Sequence, residues 1–74
     1  MKIKAYNIDW GRYKHELPEE TVLELSGNWF NWFADDEKVK RLNAEVETRL
    51  KATYGFTPQF FICKEEQEEA VNGL

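Results

Sequence analysis

Acid–base, nucleophilic and metal chemistry are built from histidine, cysteine and paired carboxylates. This chain has one histidine, His15, and one cysteine, Cys63. His15 closes the basic stretch Arg12-Tyr13-Lys14-His15. A lone imidazole there reads as a solvated surface group unless a partner orients it as a base. Cys63 ends an apolar run, where a thiol serves as a small buried hydrophobe unless a base stands beside it. The two are too far apart in sequence to read as a zinc pattern. Asp35-Asp36 and Glu19-Glu20 sit where helix caps and solvated faces use carboxylates. The four glycines are scattered at turns, with no glycine-rich phosphate loop. The expectation is a non-enzymatic protein with no catalytic residue, no cofactor and no metal.

Two aromatic clusters offer binding chemistry instead. Trp10-Gly11-Arg12-Tyr13-Lys14 interleaves rings with bases, the composition that stacks on unpaired bases and holds phosphates. Its bland counterpart is a strand end followed by a solvated loop. Trp29, Phe30, Trp32 and Phe33 fall within five residues. One helical turn cannot turn four large rings inward, so at least one is expected at the surface, where Trp and Phe anchor protein interfaces. The competing reading is that all four cap a thin sheet.

Composition bounds these readings. With 74 residues the chain forms one domain at most, with no disulfide to hold it. Three Trp, three Tyr and five Phe supply the bulk for a core. A net charge of −4 opposes general nucleic-acid binding and favours a basic protein as partner. The tail carries Glu65, Glu66, Glu68 and Glu69 against Lys64. Met1-Lys2-Ile3-Lys4-Ala5 is followed by no long apolar run, so no export signal or membrane anchor is expected, and the single thiol fits a reducing cytoplasm.

The elements that must position these residues follow from periodicity. Residues 2–10 read as a strand, with Tyr6, Ile8 and Trp10 on one phase and Ile3 and Ala5 on the other. That switch implies either a bulge near Ala5-Tyr6 or a strand covered on both faces. Residues 11–18 connect to a second strand over 20–25, and Ser26-Gly27-Asn28 is a turn. A short helix over 29–33 with Asn28 as its cap puts Trp29, Trp32 and Phe33 on one face. Asp35 or Asp36 caps a long helix over about 36–53, in which Val39, Leu42, Val46 and Leu50 form the apolar stripe. Gly55 stops it. Residues 57–63 form a third strand, and residues 65–74 read as a loosely ordered acidic tail after a domain of residues 1–64. The fold class is therefore α+β, order β-β-α-β, with a three-stranded sheet under one long helix. A parallel pair of strands 2 and 3 across the helix is permitted.

The opening Met1 to Trp10, then Leu17-Pro18, and Tyr54-Gly55-Phe56 ahead of Phe60-Phe61-Ile62 resemble small uncharacterised proteins of bacterial and phage mobile elements. The resemblance covers roughly half the chain, and the Trp29–Phe33 segment and glutamate-rich tail depart from it. It implies no activity; it implies a setting in which small acidic proteins bind and block a host protein, as anti-CRISPR proteins and DNA mimics do. Three functions follow as expectations. The first is a protein-interaction module anchored by Trp29, Phe30 and Trp32 and steered by Glu65, Glu66, Glu68 and Glu69. The second is a single-strand nucleic-acid binder using Trp10, Arg12, Tyr13 and Lys14. The third is a homodimer closed through the aromatic cluster or a sheet edge.

Overall fold

The computed structural model describes residues 1–13 and 16–66. Strand β1 spans Lys2–Asp9 and lies at the centre of a three-stranded antiparallel sheet of order β2-β1-β3. Its two apolar phases are joined by a bulge, placed one to two residues beyond Ala5-Tyr6. Asn7 adopts a left-handed backbone with φ 54°, and the pairing with β3 shifts between Tyr6 and Asp9. Asparagine tolerates that conformation better than a β-branched residue such as the adjacent Ile8. The extra residue lets Ile3 and Ala5 before it, and Ile8 and Trp10 after it, all point into one core. Tyr6 therefore leaves the phase of Ile8 and Trp10 and joins Lys4 on the open face of the sheet.

Strand β2, Thr21–Glu24, turns Thr21 and Leu23 inward and Val22 and Glu24 outward. Helix α1, Asp36–Tyr54, is capped by the Asp35 carboxylate, which accepts from the N–H of Glu37 at 2.9 Å and of Lys38 at 3.3 Å. It stops at Gly55, whose φ of 86° is the left-handed cap glycine supplies without strain. Strand β3 spans Phe60–Glu65. It begins later than the apolar pattern implies because Pro58 is buried and has no N–H to donate, so pairing opens with Gln59 N–H to the Asp9 carbonyl at 2.7 Å. It also ends later. The central strand starts at Lys2, so Glu65 pairs with Ile3 and the Glu66 N–H donates to the Lys2 carbonyl at 2.9 Å. Glu65 and Glu66, expected in the tail, are thus held against β1; residues 67–74 lie outside the described residues.

The parallel pair permitted by the crossover does not form. Strands β2 and β3 run the same way, but β1 lies between them and pairs antiparallel with each. Helix α1 crosses one face of that sheet. Leu42, Val46 and Leu50 meet Ile3, Ala5, Ile8, Trp10, Leu25 and Trp32 in one buried cluster. Each fully buried Leu, Ile or Val there stabilises the fold by about 1.5–3 kcal/mol. The opposite face of the sheet has no element over it among the described residues, and Val22 is exposed there.

Candidate protein-docking site

The aromatic segment is not the single helical turn its spacing suggests. Gly27, with φ 108°, turns the chain out of β2, and the Asn28 carbonyl oxygen Oδ1 accepts from Phe30 N–H at 3.2 Å. Asn31 then takes a left-handed backbone, φ 56°, which breaks any helix begun at residue 29. A 3₁₀ turn, Trp32–Ala34, fills the short space before the α1 cap. A helix of one or two turns has no room to recover its nucleation cost, so the local hydrogen bonds decide instead.

Those bonds sort the four rings into two pairs. Trp32 is 8% exposed and lies in the core. Trp29 is half-buried; its indole Nε1–H donates to the Ser26 carbonyl at 2.9 Å, and the Arg41 guanidinium stands 5.4 Å over its ring. The Lys38 ammonium donates to the Phe30 carbonyl at 2.9 Å, tying the turn to the first turns of α1. Phe30 and Phe33 are left facing solvent, 76% and 67% exposed. Between them opens a groove of about 380 Å³, lined by Met1, Trp29, Phe30, Asn31, Phe33 and Glu65.

The geometry gathers some of the residues singled out by sequence and separates others. Trp29, Phe30 and Glu65 share the groove. Trp32 is withdrawn into the core, and Phe33, expected inward, takes its place at the rim, because the left-handed Asn31 rotates the following turn. Glu66 stands apart, near Lys4. Glu68 and Glu69 lie outside the described residues. Asn31 inside an aromatic run was the one sequence signal of the break.

The nucleic-acid candidates fare differently. Trp10 is 3% exposed; its indole donates to the Pro18 carbonyl at 2.7 Å and its ring meets Tyr54 edge-on at 5.5 Å. A ring so enclosed cannot stack on a base. Trp10 continues the post-bulge core phase with Ile8, which the sequence pattern already suggested. Arg12 is exposed on the 3₁₀ turn Gly11–Tyr13, while Lys14 and His15 lie outside the described residues.

Burial pushes the Cys63 thiol up to about 11, and its Sγ–H points at Asn43 Oδ1, 3.6 Å away, an acceptor that is no base. The Glu24 carboxyl is held below its ordinary value by the hydrogen bond from the Met1 ammonium at 2.9 Å. Lys4 is raised by its hydrogen bond and ion pair with Glu20 at 3.0 Å. Among the described residues no three His, Cys, Asp or Glu side chains group as metal ligands would, and no helix is long and apolar enough to cross a membrane.

Compared with family models, curated proteins and solved structures, the chain matches none.

Proposed function

We propose that this chain is a non-enzymatic protein-interaction module that docks its partner on the groove between Phe30 and Phe33. One observation carries the reading: two large apolar rings are held outward on a turn that Trp29 and Trp32 anchor from beneath. Exposed aromatic rings on a pre-organised support are the usual anchors of interfaces, since little entropy is lost when they are covered. Glu65 at the groove wall and the net charge of −4 favour a basic partner and would act mainly on its rate of association. The proposed setting is a mobile-element product that blocks a host protein in the cytoplasm; its support is the partial sequence resemblance, the acidic balance and the single thiol.

The test uses Phe30→Ser/Phe33→Ser, which removes both exposed rings and leaves Trp29 and Trp32 intact. The expected result is a folded variant, within about 0.5 kcal/mol of the parent, as is usual for surface changes. From host lysate the parent should retain a basic protein that the variant does not. Equal retention by both folded proteins, or retention by neither, refutes the reading. Sedimentation of the parent alone tests the alternative: a dimer that the double variant dissolves would make a second copy the occupant.

A further inference from the structure

The two edges of the sheet are not equivalent. At the β2 side, Met1 and Leu25 exchange backbone hydrogen bonds, with Leu25 N–H to the Met1 carbonyl at 2.8 Å and the Met1 ammonium to the Leu25 carbonyl at 2.8 Å. Hydrogen-bonded pairs alternate in an antiparallel ladder, so Leu23 and Thr21 also face β1, and Val22 and Glu24 turn their backbone groups outward. The Arg49 guanidinium reaches from α1 and donates to the outward Glu24 carbonyl at 3.1 Å. That edge is four residues long and partly capped, in the way folded proteins blunt exposed strands.

At the β3 side the same counting starts from Glu66, whose N–H donates to the Lys2 carbonyl. Lys64 and Ile62 then face β1, and Phe61, Cys63 and Glu65 turn their N–H and C=O groups away from the sheet. Among the described residues no side chain is seen to cap them. The strand has six residues with no bulge or proline inside it. Beside it lies a second groove, about 460 Å³, with Phe60 and Phe61 as one wall and Lys40, Asn43, the small Ala44 and Glu47 along α1 as the other.

We propose that the β3 edge accepts an extended segment of another protein as a fourth strand, which lays alternate side chains into the groove over Ala44. Main-chain hydrogen bonds to Phe61, Cys63 and Glu65 supply affinity, and the groove supplies selection, as in other strand-addition sites. The charges choose the occupant. Cys63 lies level with Asn43, Phe61 shares the groove with Glu47, and Glu65 lies toward the start of α1 in the aromatic groove. A second copy paired antiparallel about Cys63 would set its Glu65 opposite Phe61, against Glu47, a like-charge contact. A segment with an apolar side chain over Ala44 and a lysine or arginine two residues further on meets Glu47 favourably. This reading goes beyond the Phe30–Phe33 groove and holds even if those rings bind nothing.

The test is amide hydrogen exchange by NMR on the full chain, with the blocked peptide Thr-Val-Thr-Val-Thr-Lys-Thr as probe. In the free protein at low concentration the amides of Phe61, Cys63 and Glu65 exchange fast, while those of Ile62 and Lys64 are protected. Saturating peptide should slow the three outward amides at least about tenfold. Replacing the peptide's lysine by glutamate should weaken the effect, and Ala44→Arg, at an exposed helix position, should abolish it with the circular dichroism unchanged. Phe30→Ser/Phe33→Ser should leave it intact, which separates this surface from the aromatic groove. Outward amides already protected in dilute free protein would overturn the proposal, because the chain itself would cover the edge. Protection that grows with protein concentration alone would give the edge to a second copy, and no change at saturating peptide would refute strand addition.

Discussion

Trp10 and Trp32 are both buried, yet their indole N–H groups stand in opposite situations. That of Trp10 is satisfied by Pro18 at 2.7 Å, whereas that of Trp32 meets no acceptor among the described residues. A buried donor without a partner costs about 1–3 kcal/mol, and removing it by an apolar ring of similar shape recovers part of that. Trp10→Phe is therefore expected to destabilise by about 1–3 kcal/mol, from a lost hydrogen bond and a smaller ring. Trp32→Phe should cost clearly less, and urea unfolding of the two variants beside the parent checks the order. If Trp32→Phe is the more damaging of the two, the indole N–H has a role the geometry does not explain. Cys63 gives the pH prediction. Its thiol rises from an ordinary 9.0 to about 11 in the fold, so the folded state holds its proton more tightly than the unfolded state. Below about 9 both states are protonated and the term is silent; from 9 toward 11 the unfolded chain loses protons first, and stability falls as pH rises. Cys63→Ala should flatten that decline between pH 9 and about 11 in thermal melts. Aromatic and thiol types were visible in the sequence, but neither burial nor the pairing of each indole was, because both depend on how irregular loops fold against the core.

Helix α1 was legible almost to the residue, since its apolar stripe, its cap at Asp35 and its stop at Gly55 are all local in sequence. Asp35→Ala removes the acceptor for two N–H groups and should cost about 1 kcal/mol. Gly55→Ala should cost about 1–2 kcal/mol for backbone strain alone, since a Cβ there meets nothing within 4 Å. Thermal unfolding of both, with Asp35→Asn as the conservative control, checks these values. The bulge in β1 makes the sharper test of an element. Asn7→Gly should be tolerated, while Asn7→Val forces a β-branched residue to φ 54° and should destabilise by more than about 1 kcal/mol. If both substitutions are neutral, the register shift lies elsewhere. Strand β3 departs from its apolar pattern at both ends because strand limits are set by the neighbour. Lys64 and Glu65 look like the start of a tail, but the first residues of β1 need partners and take them.

At the scale of the molecule, the aromatic segment divides into support and surface. Trp29→Ala/Trp32→Ala should unfold a large share of the protein, since truncating one buried aromatic costs about 3–5 kcal/mol and a domain this small has little more than that in hand. That pair of substitutions therefore cannot test binding, whereas Phe30→Ser/Phe33→Ser can. Circular dichroism and urea titration of both double variants would make the division plain. If the tryptophan pair remains folded and the phenylalanine pair does not, the assignment of core and surface is reversed.

The residues alone carried the fold class, the long helix and the chain order of the strands, because each rests on composition or on periodicity within a few turns. They also carried the phase switch in β1, though not its place. Tertiary packing settled the rest. The central position of β1, the antiparallel pairing of β3 and the burial of Trp10 and Trp32 arise from contacts between segments distant in sequence, and the exposure of Phe30 and Phe33 follows from the local turn at Asn31 once the core has taken Trp32. The two grooves also arise from distant contacts, their walls coming from the N-terminus, the 29–33 turn, α1 and β3. A short aromatic run has no period long enough to say which side faces the core; that answer waits until Asn31 turns the backbone and the sheet and helix claim two of the four rings.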